Sequence, residues 1–143
     1  MTKPPPSLPC MCASFRRASR AITQLYEDAL RPLGLRATQF TVLQLLSVVG
    51  EVSQGELGRM LAMDSTTLTR TLTIMSRNGW IERRHGEDRR EWRIQRSKAG
   101  EAQLKLALPY WQKVQTRLRS QLGDGVWDNL MKLTNKLTNA VME

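Results

Sequence analysis

A mainly α-helical fold with one small β-hairpin, arranged as a winged helix-turn-helix, is the architecture this 143-residue sequence predicts. Three observations predict it. Apolar residues recur every three or four positions through most of the chain. Two short helical stretches, each with its own cap, meet at residues 62–64. Directly after them, residues 82–93 read ERRHGEDRREWR, with five arginines and four acids around one glycine. That stretch lies between apolar Ile81 and Ile94, as a charged hairpin turn does.

The elements follow in order. Pro4, Pro5 and Pro6 cannot start a helix or a ladder, so residues 1–8 are expected to be a flexible arm. Pro9 suits a first helical turn, and Phe15, Ala18, Ile22, Leu25, Tyr26 and Ala29 carry a helix to about Leu30. Pro32 and Gly34 end it. A second helix spans about Thr38 to Val49, with Phe40, Leu43, Leu46 and Val49 facing a core and Gly50 as the stop. Ser53 with Glu56 reads as a capping box, opening a short helix to Leu61. Asp64 caps a fourth helix, Ser65 to Arg77, closed by Asn78-Gly79. Trp80–Arg84 and Glu91–Arg96 are the two strands of a hairpin around Gly86. Ser97 caps a helix of about 25 residues that Pro109 should kink. Gly123, Asp124 and Gly125 break the chain before a last helix with Val126, Leu130, Leu133, Leu137 and Val141 on one face. No linker divides the chain, so residues 9–143 form one domain.

Bulk properties narrow the function. A formal charge of +9 favours a polyanionic partner. No apolar run approaches the roughly 20 residues that span a bilayer, and the N-terminus lacks a signal peptide's apolar core, so a cytoplasmic protein without a membrane partner is expected. An enzyme is not expected. The single histidine, His85, sits in the charged turn, and there is no phosphate-cradling glycine loop, paired-His metal spacing or serine elbow. No cofactor is implied. Cys10 and Cys12 are too close in sequence to staple a fold.

The fourth helix carries the recognition chemistry. DSTTLTRTLTIM places Leu68, Leu72 and Met75 on one side and short hydroxyls with an arginine on the other. Hydroxyls can donate to phosphates or touch a thymine methyl, and arginine can reach a guanine edge or a phosphate. Threonine is a mediocre helix former, so this many on an exposed face point to contact, although some threonines simply bond back to the preceding turn. A basic hairpin directly after such a helix is a wing, able to put an arginine into a narrow minor groove. Glu87 and Asp88 are expected to hold neighbouring arginines by bidentate pairing. The candidate DNA-contact residues are Ser65, Thr66, Thr67, Thr69, Arg70, Thr73 and Arg77 on the helix, with Arg84, Asp88, Arg89 and Arg90 in the hairpin. The competing reading, from another class, is a sequence-tolerant nucleic-acid coating protein that uses charge alone.

The helix order, the segment NGWIERRHGEDRREWRIQRSKAGE, its DRR at Asp88–Arg90 and the Ser97-x-x-Gly100 that opens the next helix together resemble the MarR family of transcriptional regulators. The resemblance covers nearly the whole chain from about residue 10. It implies a winged-helix homodimer that represses from palindromic operators near its own promoter. It also implies a wing-tip arginine at Arg90 supported by Asp88. The dimerisation helices would lie within residues 9–34 and 98–143, and the winged part within 38–97. The residues themselves argue for the dimer, because Trp111, Trp127, Leu130, Leu133 and Leu137 offer more apolar face than one small winged helix covers. A two-fold dimer reads half-sites about 10 base pairs apart.

The signal is sought in LPCMCASFRRASRAITQLY. Cys12 falls in the first turn of a helix, where backbone N–H groups and the dipole favour a thiolate, and Arg16 and Arg17 add positive charge. The bland alternative is a small buried cysteine. The segment is also similar to the organic-hydroperoxide-sensing branch of the MarR family, which implies a sensor at Cys12 and an activating tyrosine at Tyr26. A second tyrosine of that branch falls on Arg16, and no C-terminal cysteine is present to resolve a sulfenate. Oxidation would therefore end at a sulfenic acid, a mixed disulfide or a product involving Cys10. Two other effector classes remain open: a soft metal or metalloid on Cys10 and Cys12, and a small aromatic molecule between the dimer helices and the winged part.

Overall fold

Ile94, Leu72, Leu43 and Leu57 are each wholly excluded from solvent, although they come from four different elements. They mark where the core of this computed structural model sits, in the part between residues 30 and 107. The structure describes residues 2–142. Six helices and three strands follow in chain order: α1 (Met11–Leu30), α2 (Ala37–Val49), β1 (Val52–Ser53), α3 (Gln54–Leu61), α4 (Ser65–Arg77), β2 (Ile81–His85), β3 (Trp92–Arg96), α5 (Lys98–Leu122) and α6 (Asp124–Met142). This is the winged helix-turn-helix that the periodicities predict.

The caps do most of the local work. Asp64 accepts the Thr67 N–H at 2.9 Å, Ser53 the Glu56 N–H at 3.2 Å and Ser97 the Gly100 N–H at 3.0 Å, each satisfying a donor that a helix start leaves orphaned. A 3-10 turn, Arg31–Leu33, carries α1 to Gly34, whose φ of 63° is the left-handed stop expected there. The turn between α3 and α4 passes through Ala62 at φ 52°.

The structure corrects several boundaries. The first helix begins at Met11, with Cys10 as its N-cap in extended conformation, so Pro9 lies outside the first turn. The strands start one residue later than predicted: the Trp80 N–H bonds back to Met75 O at 3.0 Å at the end of α4, and the Glu91 N–H to Asp88 O at 2.9 Å in the hairpin turn. Only Gly123, at φ 84°, interrupts the chain between the last two helices; Asp124 and Gly125 belong to α6. Asp124 starts that helix by pairing with Arg119 at 2.7 Å, which favours a sharp corner over a loose loop. Pro109 sits inside α5 without ending it.

The sheet has three strands rather than two, in the order β1-β3-β2. Val52 pairs with Ile94 and Ser53 with Arg93, antiparallel. Two residues show no period of their own, so sequence pattern cannot detect such a strand. The pairing also uses the backbone of Ser53, and of the expected capping box only the Ser53 half forms. Residues 2–9 contain no helix or strand. They are nonetheless tied to α1, by Arg17 donating to Pro6 O at 2.9 Å and Ser14 to Leu8 O at 3.1 Å.

Helix α5 leaves the winged part at a stitched joint. The Ser97 N–H donates to Trp80 O at 3.0 Å, and the Ser97 hydroxyl donates to Gly79 O at 2.5 Å. Gly100 lets the helix come that close, because a Cβ there would stand 2.0 Å from Trp80 O. Beyond Ala107 neither α5 nor α6 buries a residue fully. Leu106, Leu108, Val126, Leu130, Met131 and Leu133 stay exposed along them, and Met11, Phe15 and Ile22 along α1. No helix is long and apolar enough to cross a membrane among the described residues.

Candidate nucleic-acid interface

Helix α4 buries Leu68, Leu72 and Met75 and turns Ser65, Thr66, Thr69, Arg70 and Arg77 to solvent. The hydroxyls on it differ in what they have left to offer. Thr67 is part of the cap: its hydroxyl donates to Asp64 Oδ2 at 2.6 Å. That bond, with the Thr67 N–H, holds the Asp64 carboxyl below its ordinary range. Thr71 and Thr73 donate back to the carbonyls of Thr67 and Thr69, at 3.1 and 2.8 Å. Their hydroxyl protons are spent within the helix, as happens to threonine in helices generally.

Thr69 is the exception, and its partner is absent from the sequence-derived set. Gln54, the first residue of α3, donates its amide to Thr69 Oγ1 at 2.9 Å. An oxygen that accepts this bond keeps its own proton for an outward acceptor. Ser65, Thr66, Arg70 and Arg77 make no side-chain hydrogen bond or ion pair among the described residues. The helix therefore presents outward donors at Ser65, Thr66 and Thr69 and two free guanidinium groups, matched in kind to phosphates and to guanine or thymine edges.

The wing runs antiparallel, with Ile81 opposite Arg96, Arg83 opposite Ile94 and His85 opposite Trp92. Ile81 and Ile94 anchor it in the core. Asp88 accepts from the Arg90 N–H at 3.0 Å and faces Arg90 Nε at 3.4 Å, so it shapes the tip by a turn contact and not by the bidentate fork expected. Glu87 has no side-chain partner among the described residues. The acids that do hold arginines are Glu91, 3.0 Å from Arg93, and Glu51, 2.7 Å from Arg84. The Arg90 side chain is 93% exposed against 30% for Arg93, which separates the tip from the base of the wing. Arg89 is exposed beside it and has no side-chain partner among the described residues. Trp92 packs against the His85 ring at 3.9 Å between centroids, and the Arg83 guanidinium lies 5.5 Å from the Trp92 centroid. His85 is thus a stacking partner in the wing.

The residues expected to sense a signal lie elsewhere. Cys10 and Cys12 are both free and exposed at the start of α1, so the buried-cysteine alternative does not hold. Of the two nearby arginines, Arg17 is engaged with Pro6 O, leaving Arg16. Tyr26 is not brought to Cys12 within this chain, because the two are 14 residues apart on one continuous helix, about 21 Å at 1.5 Å per residue. The Tyr26 hydroxyl instead donates to Gln115 of α5, and burial raises its pKa, so it stays a neutral donor. It lines a cavity of ≈ 250 Å³ with Ile22, Phe40, Thr41, Gln44 and Trp111, between α1, α2 and α5. No group of three or more His, Cys, Asp or Glu is placed to hold a metal ion among the described residues.

Comparison with known proteins agrees with this geometry. The model of the MarR family matches residues 35–92. The M. tuberculosis transcriptional regulator MosR, solved in complex with DNA, is 36% identical, with a TM-score of 0.83 over 92% of this chain and 96% of that one. The uncharacterized HTH-type transcriptional regulator YwoH of Bacillus subtilis is 36% identical over 77 residues, 54% of this chain and 56% of its own length. The multiple antibiotic resistance protein MarR of Salmonella typhimurium is 40% identical over 60 residues, 42% of each chain. The chain thus spans about half the length of the curated relatives it matches.

Proposed function

The chain belongs to the MarR family of winged-helix transcriptional regulators, and from that membership we propose that it represses transcription by binding a palindromic operator as a homodimer, until an effector releases it. The observation that carries this reading is the pairing of two elements. Helix α4 offers free donors at Ser65, Thr66, Thr69 and Arg70, and the adjacent wing tip offers Arg89 and the 93% exposed Arg90. The helix suits a major groove and the tip the neighbouring minor groove. The unburied apolar stripes of α1, α5 and α6 are the surface a second copy would cover, giving two reading heads.

The two elements are expected to fail differently. Arg90→Ala weakens operator binding and lowers the salt slope by about one unit if it neutralises one phosphate equivalent. Arg70→Ala relaxes sequence preference, at about 1–3 kcal/mol if it makes a bidentate base contact. Both are read by titrating a palindromic promoter fragment and a random duplex across salt concentrations. An operator-to-random ratio near one in the parent leaves only the charge-driven coating protein. Two mutants that bind like the parent remove the assignment of both elements.

For the signal, the exposed thiols at the start of α1 support oxidation at Cys12. In that step the thiol takes one oxygen from a hydroperoxide, giving a sulfenic acid and the alcohol; Cys10 is the nearest thiol to condense with it, releasing water. Soft metal or metalloid capture by Cys10 and Cys12, with a third ligand from the partner chain or solvent, uses the same exposure. A separate observation, the cavity beside Tyr26, Phe40 and Trp111, favours an aromatic effector as the other reading. In each case the effector favours a spacing of the reading heads that no longer fits successive grooves. Cys12→Ser is expected to keep its hold on operator under hydroperoxide, arsenite and mercuric ion, conditions that free the parent. Release of the mutant by these reagents eliminates the thiol reading, and release of both by a phenolic acid establishes the cavity.

A further inference from the structure

The hairpin register sets Arg84 directly opposite Arg93. Two like charges facing each other across antiparallel strands destabilise the pairing unless something neutralises them. Neither strand supplies a common counter-ion. It comes from outside the wing, from Glu51, at the turn between α2 and β1. Glu51 Oε1 stands 2.7 Å from Arg84 Nη2 and 3.6 Å from Arg93 Nε. The same oxygen is closed off from solvent and meets neither guanidinium in hydrogen-bond geometry, so the contact is an ion pair held by charge and proximity. Its place is set by the β1–β3 pairing of Val52 with Ile94 and Ser53 with Arg93, which holds the preceding residue over the base of the wing. The contact from the Arg84 guanidinium, with Arg93 adding to it, keeps the Glu51 carboxyl below its usual range, so the clamp is ionised at neutral pH.

We propose that Glu51 is a specificity-determining positioning residue: it withholds Arg84 from DNA phosphates, while Glu91, 3.0 Å from Arg93, holds that arginine at the base, and the wing is left to act through Arg89 and Arg90 at its tip. This rests on the DNA-binding reading above. The physical reason is competition. A guanidinium–carboxylate pair is neutral as a whole and has no net charge to offer a phosphate, and only groups that neutralise phosphates contribute to sequence-independent affinity. Freed, Arg84 would add a contact that every duplex supplies equally. Arg84, one of the residues expected from sequence to touch DNA, is on this account held back from it.

The test uses the full chain, a palindromic promoter fragment and a random duplex, with binding measured between 50 and 200 mM salt. Glu51→Gln is expected to steepen the random-duplex salt slope by about 0.9 as Arg84 finds a phosphate, which is about eightfold in affinity at 0.1 M salt. Operator affinity gains less, because the unclamped hairpin must then be ordered on docking, so the operator-to-random ratio falls. Glu51→Gln combined with Arg84→Gln should lose that gain. Arg84→Gln alone should leave the parental slope unchanged, and this variant tests the idea even where Glu51→Gln does not fold. A drop of about one unit in the Arg84→Gln slope means that Arg84 already neutralises a phosphate, and the proposal fails. It fails equally if Glu51→Gln melts like the parent and its slope is unchanged or shallower. A parent that binds neither duplex overturns the DNA-binding reading itself, and this inference with it.

Discussion

Replacing Gly100 with alanine is expected to cost about 3 kcal/mol, the upper end for overpacking, and to lower the melting temperature by roughly 10 °C. The added Cβ would stand 2.0 Å from Trp80 O and 3.1 Å from Leu43 Cδ2. The first obstacle is a backbone carbonyl that already accepts the Ser97 N–H at 3.0 Å, so it cannot turn aside without losing that bond. The second is a wholly buried core leucine. Relief would require α5 to lift off the end of α4 and the start of the wing. The change should therefore weaken DNA binding as well as stability, since α5 is the link between the reading head and the helices proposed to pair. Gly55→Ala is the control. A Cβ there meets nothing within 4 Å, and alanine favours a helix over glycine, so stability should hold or rise slightly. Urea and thermal unfolding of both variants decide the matter. A Gly100→Ala protein with the parental midpoint would mean that the joint is not packed as described.

The second large effect is expected from Leu133→Asp combined with Leu137→Asp. Helix α6 has no fully buried residue, and Leu133 is 58% exposed in the single chain. If a second copy covers this stripe, each aspartate becomes an unpaired charge in a closed seam, at about 3–5 kcal/mol for an uncompensated ion. The dimer should dissociate. Operator affinity should fall by about 100-fold or more, since linking two reading heads is worth 10²–10⁴ without any new contact. The winged part should stay folded, because its core lies between Leu30 and Ala107 and uses nothing from α6. Sedimentation and operator titration on the same samples test this. A parent that sediments as a monomer yet binds operator tightly rules the dimer out.

Local chemistry was legible wherever a feature depends on residues a few positions apart. Asp64, Ser53 and Ser97 cap the helices they were expected to cap, and Gly34 and Gly50 close theirs, because capping is decided within one turn of chain. The buried face of α4 followed from spacing alone, as did the placement of the wing between Ile81 and Ile94. The charge crowded into residues 82–93 marked the wing but misassigned its internal pairing. Glu87 was expected to hold an arginine and does not, whereas Glu51, more than thirty residues upstream of Arg84, does.

By itself, then, the sequence determined the order and type of the elements, the apolar faces and the basic, hydroxyl-bearing character of the exposed side of α4. Those properties come from local dihedral preference, capping and hydrophobic period, which act over one or two turns. Tertiary structure alone decided which of the polar groups remain free. It took the Thr73 proton into the helix and left that of Thr69 outward, by bringing Gln54 to it from α3. It added the two-residue strand β1, whose pairing with β3 sets Glu51 over Arg84 and Arg93. It pressed α5 onto Trp80 O at Gly100, and it joined Tyr26 to Gln115 across 89 positions of chain. Each of these depends on the relative placement of two elements packed on the common core. No spacing in one dimension encodes such a placement, because many registers of the same elements would satisfy the same local pattern.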